Sequence, residues 1–188
     1  MLVRMKIVAL DIGLVSLGWC VFTPSSSKLT FGVANLKTLV PKKAKHDYAL
    51  MAKRFLDEYK SIFQGATMVV LERQISAKFR VMTTALRCFL WGRHLVVSPI
   101  VVKRFWWGTP TGSYAKNKDL ACDVALELLD ATQRIHFKMH RKKARTDMAD
   151  AILMAFWYAY VHALKKVPRH VEEVRCQYKA LKKDACVS

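Results

Sequence analysis

Of the fourteen Asp and Glu residues in the chain, four stand where acids are uncommon. Asp11 follows the apolar run Met5–Leu10, and Glu72 follows Thr67–Leu71. Asp147 and Asp150 lie three residues apart, on one face of a helix, at the start of the most apolar stretch, Met148–Leu164. Strand ends of an α/β sheet are where ligands bind, and a carboxylate at the edge of a core is costly unless it is paired or holds a metal. Each acid also has an ordinary reading. An Asp after a strand serves as a turn or cap residue, Asp147 suits a helix cap with Asp150 in the first turn, and Glu72 suits a pair with Arg73 or a nearby Lys. Taken together in a strongly basic chain, they describe a site that gathers negative charge. Their repulsion raises some of their pKa values, and magnesium or manganese, hard cations that prefer oxygen, relieves it. Two such ions about 3.5–4 Å apart activate water and stabilise the leaving oxygen in phosphodiester hydrolysis.

The rest of the composition fits that chemistry. In 188 residues, thirty-two Lys and Arg give a net charge of +18, which points to a polyanionic partner, nucleic acid or an anionic membrane surface. The basic residues cluster at Lys42-Lys43-Lys45, Lys78-Arg80, Lys103-Arg104 and Arg141-Lys142-Lys143-Arg145. With so few acids to balance them, contact with phosphates is favoured over a merely solvated face. Tyr114, with Lys116 and Lys118, is placed to touch a sugar-phosphate backbone. Phe105-Trp106-Trp107 suits either a wedge against an unpaired base or core packing. His136-x-x-x-His140 has the spacing of half a zinc site, with no Cys or acid pair nearby to complete it. The five Cys are odd in number and form no C-x-x-C pair, so they read as reduced thiols, and none has the local partners of a nucleophile.

The elements that must position these residues follow from periodicity. Strands are expected at Met5–Leu10, Leu17–Phe22, Leu29–Leu36, Thr67–Leu71 and Leu95–Val97, the first three as an antiparallel meander. Helices are expected over Asp47–Phe63, Phe79–Trp91, Lys116–Leu129 and Thr146–Leu164, with a turn-rich loop at Gly108–Ser113 and a basic connector before the last helix. Strands first, then strands alternating with helices, give an α/β chain with a mixed sheet flanked by helices. Residues 1–166 are expected to form one domain and 167–188 a basic peripheral tail. The apolar run after Arg4 and Lys6 ends at Asp11, shorter than the roughly 7–15 residues of a signal peptide core. Met148–Leu164 carries Asp150 and His162 and falls short of the ~20 apolar residues of a spanning helix. A soluble, intracellular protein with no signal peptide and no membrane partner is therefore expected.

Asp11-Ile-Gly13 with Gly18-Trp19, Leu71-Glu72-Arg73-Gln74, Pro99-x-x-Val-Lys103 and Asp147-x-x-Asp150-Ala151 resemble, in order and separation, the motifs of the RuvC-type Holliday junction resolvases. The Leu-Glu-Arg-Gln form is similar to the resolvases of poxviruses and related large DNA viruses. The resemblance spans roughly residues 5 to 165. It implies a ribonuclease-H-like fold with a mixed five-stranded sheet, a homodimer, and metal-dependent cutting of four-way DNA junctions by paired symmetric nicks. The metal implied is Mg2+, with Mn2+ as the alternative, two ions per site, and no small-molecule cofactor. Asp11, Glu72, Asp147 and Asp150 match the four catalytic acids and metal ligands. Lys103 matches the lysine of the P-x-x-V-K motif, and Lys116 or Lys118 the second lysine, Lys118 being the one assigned here. Lys78, Arg80, Lys103, Arg104, Tyr114, Lys116, Lys118, Arg141, Lys142, Lys143 and Arg145 are the expected DNA contacts. A C2 dimer suits the pseudo-twofold junction, and helix Phe79–Trp91 serves either as its interface or as core.

Other readings stay open at this stage. The same fold serves ribonuclease-H-type cutting of RNA–DNA hybrids or RNA processing. A non-catalytic basic DNA-binding or packaging protein would leave the acids purely structural. The D-x-G-x-x-x-x-G spacing from Asp11 also resembles a phosphate loop of sugar-kinase and actin folds, which need a longer chain and a second such loop.

Overall fold

The computed structural model describes residues 5–110, 112–163 and 168–184. A β-hairpin opens the chain, β1 (Ile7–Ile12) and β2 (Ser16–Thr23), followed by β3 (Lys28–Asn35). Helix α1 (Tyr48–Glu58) and the short α2 (Lys60–Phe63) lead into β4 (Met68–Glu72). Helix α3 (Ala77–Phe89), strand β5 (His94–Val97) and helices α4 (Pro99–Trp107), α5 (Tyr114–Leu128), α6 (Ala131–Met139), α7 (Lys142–Tyr158) and α8 (Arg169–Asp184) complete the order. The five strands form one sheet in the order β3-β2-β1-β4-β5. Pairings β1–β2 and β2–β3 are antiparallel, and β1–β4 and β4–β5 parallel. This is the expected α/β mixed sheet of five strands.

Both faces of the sheet are covered, which explains why β1 does not alternate in polarity. Val8, Leu10, Ile12 and Leu71 pack with Met51, Phe55, Met82 and Leu86 of α1 and α3. Ile7, Ala9, Cys20, Phe22 and Val70 pack on the other side with α5 and α7. Helix α7 crosses that second face and is buried nearly all round from Met148 to Trp157, continuing into a π-helical turn, Ala159–Ala163. No helix among the described residues is long and apolar enough to cross a membrane.

Several elements differ from the sequence reading. The region expected as one helix over Asp47–Phe63 breaks at Tyr59 into α1, capped by the Asp47 carboxylate, and α2. Helix α4, which the sequence reading did not expect, begins at Pro99, whose fixed φ and missing N–H suit a first turn. The basic connector holds α6, started by a capping box between Asp130 and Gln133. The segment expected as a peripheral tail contains α8, whose Val171, Val174 and Tyr178 are buried against the body of the protein. Trp106 and Trp107 are fully buried in the core, and the Trp106 indole donates to the Leu153 carbonyl at 3.2 Å. They are not a DNA wedge. Phe105 is half-buried, with the Arg175 guanidinium 4.9 Å from its ring centroid.

Candidate active site

The central parallel strands β1 and β4 end side by side, and each carries its acid at that end. Asp11 lies one residue before the close of β1, and Glu72 is the last residue of β4. Helix α7 brings Asp147 and Asp150 to the same edge because its first turns lie against β2. That approach depends on Gly18, which pairs with Asp11 across the hairpin. A Cβ at Gly18 would sit 2.1 Å from the Asp147 carbonyl oxygen, so no larger residue fits without lifting α7 away. Helix α5 adds Lys118 and helix α4 adds Lys103. These groups line an open cleft of about 530 Å³, with Ser16, Gln74, Phe79, Tyr114 and Lys143 in its walls.

The acids are held by specific partners. Asp11 and Asp150 are among the few buried polar side chains of the described residues. The Lys118 ammonium contacts Asp150 directly and lies 4.0 Å from Asp11. The Gln74 amide donates to Glu72 at 2.7 Å, and the Ser16 hydroxyl donates to Asp147 at 2.6 Å. Asp11 and Glu72 face each other across the neighbouring strand ends, close enough for each to act on the other's ionisation.

Electrostatics follow the crowding. Burial, reinforced by the charges of Glu72 and Asp150, pushes the Asp11 carboxyl well above the usual carboxylate range. Burial also raises Glu72 and Asp147. Burial works against the Lys118 charge, but Asp150 and Asp11 outweigh it and hold the ammonium more firmly protonated than a free lysine. Among the described residues, no three His, Cys, Asp or Glu side chains close on one point as a finished metal site; the positive charge between Asp11 and Asp150 is the Lys118 ammonium. The donor set still fits a hard divalent cation. It is all carboxylate oxygen, and burial together with the neighbouring acid charges opposes full ionisation of Asp11.

The expected DNA-contact residues divide by position. Lys103, Tyr114, Lys118 and Lys143 line the cleft, and the Lys118 ammonium is 5.8 Å from the Tyr114 ring centroid. Lys78, Arg80, Arg104, Lys116 and Arg141 are exposed on the surrounding surface. Lys142 is exposed but ion-paired to Asp119 at 2.8 Å, and Arg145 is half-buried. Lys118, not Lys116, is the lysine among the acids. The sequence reading did not single out Ser16, and it treated Gln74 only as part of a motif. Their partners lie across the fold or in a local side-chain geometry that no spacing rule encodes. His136 of α6 and His140, the residue that caps the helix, meet edge to face at 5.0 Å.

No protein-family model matches the chain, and no curated protein sequence matches it. Solved structures do. Fowlpox virus resolvase in complex with substrate Holliday junction DNA is 15% identical, aligning 82% of this chain with 96% of that one at a TM-score of 0.58. A second structure, of the fowlpox virus Holliday junction resolvase, is 16% identical, with 82% and 97% aligned and a TM-score of 0.57. Thermus thermophilus RuvC with a Holliday junction substrate is 15% identical, with 85% and 95% aligned and a TM-score of 0.53. The chain thus has the ribonuclease-H-like fold shared by RuvC and the poxvirus resolvase.

Proposed function

We propose that this protein is a metal-dependent endonuclease that resolves four-way DNA junctions by paired symmetric nicks. The observation that carries this reading is the convergence of Asp11, Glu72, Asp147 and Asp150, from two strand ends and one helix, on a single open cleft with Lys103, Lys118 and Lys143 in its walls. That arrangement lies on a fold whose relatives include resolvases described with junction DNA. A charge of +18 supplies the attraction for a polyanion.

In this reading the four acids hold two divalent cations, Mg2+ or Mn2+. When bound, these activate a water for in-line attack and neutralise charge on the leaving oxygen. The chain's own residues do the rest. Gln74 fixes the Glu72 carboxylate, Lys118 spans Asp11 and Asp150, and Lys103 and Lys143 hold phosphate oxygens at the cleft walls. Tyr114 and Phe79 supply aromatic surface beside the strand. The exposed Lys78, Arg80, Arg104, Lys116 and Arg141 extend the phosphate-binding surface along the junction arms. A homodimer places two such sites on one junction. The exposed Val81, Phe89 and Trp91 of α3 and the turn after it are the surface assigned to the partner copy.

The test is cutting of a synthetic, strand-labelled four-way junction with and without magnesium, beside a linear duplex and an RNA–DNA hybrid. Symmetric nicks in the junction alone, lost in Asp147→Asn with binding retained, are expected. Cutting of the hybrid alone would make the protein a ribonuclease-H-type enzyme, and tight binding with no cutting would make it an architectural DNA-binding protein.

A further inference from the structure

We infer that Ser16 is a positioning residue that presents Asp147 to the cations of the site. The inference rests on the proposed role of the four acids as cation ligands. Ser16 opens β2, half-buried in the wall of the cleft. Its hydroxyl donates to Asp147 Oδ2 at 2.6 Å across 131 residues of sequence. Two positions further along the same strand, and so on the same face, Gly18 takes the Asp147 backbone at close contact. One strand therefore grips one residue of α7 twice, by its main chain and by its carboxylate.

The other three acids have different partners. Lys118 lies 4.0 Å from Asp11 and holds Asp150, and Gln74 holds Glu72. Among the described residues, the hydrogen bond to the Asp147 carboxylate comes from Ser16 alone. A donated O–H fixes one carboxylate oxygen and the rotation of the group, and leaves the other oxygen for the cleft. A neutral donor does this without adding a positive charge that would compete with the cation, as a lysine there would. Partners of this kind orient the groups that touch a metal, and their loss weakens metal affinity or activity.

The experiment uses the full chain as wild type, Ser16→Ala and Ser16→Thr, and reads two quantities. One is the Mg2+ or Mn2+ concentration at half-maximal thermal stabilisation, the other the single-turnover rate of junction cutting at saturating DNA. Ser16→Ala should raise the metal midpoint by about 10-fold or more and slow cutting at limiting metal, with junction affinity in chelator unchanged. Ser16→Thr keeps the hydroxyl and should restore both. A tie that only holds β2 to α7 would lower the melting temperature in chelator and leave the metal midpoint in place; that result overturns the inference, as does a folded Ser16→Thr that fails like Ser16→Ala. If wild type is stabilised by metal but cuts no junction, the proposed function falls while the midpoint shift still supports Ser16. No metal-dependent stabilisation in wild type overturns both.

Discussion

The Lys118 ammonium is seated on the Asp150 carboxylate, 32 residues further along the chain, and lies 4.0 Å from Asp11. All three side chains are largely buried, so this is the charge that lets two carboxylates sit at the edge of the core. Removing one partner of a buried pair leaves the other uncompensated. Lys118→Met should therefore lose about 3–5 kcal/mol of stability in chelator, roughly 6–20 °C of Tm for a chain of this size. Divalent metal should narrow the gap, because cations then supply the missing charge, while cutting stays slow. Thermal melts with chelator and with excess magnesium check this. Equal melting in chelator would show that Lys118 does not balance the acids.

Stability without metal should depend on pH through Asp11 and Glu72. Burial, with the neighbouring acid charges, raises their carboxyls above the values they have when unfolded. The folded state thus holds their protons more tightly, and their favourable contribution is complete only below the ordinary carboxylate range, about 4. It is lost as pH rises through the raised folded values. Asp11→Asn removes the Asp11 part of that loss. Its stability advantage over wild type in chelator should widen from acid toward neutral pH, as read by urea denaturation midpoints. Metal should reverse the order at neutral pH by stabilising wild type alone. A gap that does not change with pH would contradict this account of the pair.

Gly18→Ala tests whether the approach of β2 to α7 sets the site. The added methyl would meet the Asp147 carbonyl oxygen at 2.1 Å, and neither backbone can yield locally. Overpacking of this kind costs about 1–3 kcal/mol. Because the strain falls on the turn that carries Asp147, cutting should be lost well beyond what the drop in stability explains, with all four acids still present. Retained wild-type cutting at a temperature where the variant is folded would show that α7 adapts without moving Asp147.

The sequence makes the acid positions legible because β-branched runs mark β1 and β4 and the acids at their ends interrupt them. Asp147 and Asp150 are legible because a three-residue spacing puts them on one helix face. Helix α4 escapes because it is short and opens on Pro99, with Ile100 and Val101 exposed, so its apolar content marks no single face. Helix α6 is hidden by its basic residues, although Asp130-x-x-Gln133 is a readable capping signal. Helix α8 sets Val171, Val174 and Tyr178, a buried stripe at i, i+3 and i+7, among many charged residues. The burial of Trp106 and Trp107 and the Ser16–Asp147 bond are tertiary facts: the partners Leu153 and Asp147 lie far along the chain.

The adjacent lysines at the start of α7 separate two roles for basic charge. Lys143 lines the cleft and acts on Asp147, whereas Lys142 is occupied by Asp119 at 2.8 Å on the exposed surface. A lysine that contacts phosphate releases counterions when DNA binds, and one already paired to a carboxylate must first exchange its partner. Lys143→Ala should weaken junction binding and reduce the slope of log affinity against log salt by about 1. Lys142→Ala should change the slope little, since what it removes is mainly an exposed ion pair. Affinities of both variants and wild type across a salt series, measured in chelator so that no cutting intervenes, decide the matter. A flattened slope in Lys142→Ala with an unchanged one in Lys143→Ala would mean that the DNA passes over the outer face of α7 and not through the cleft.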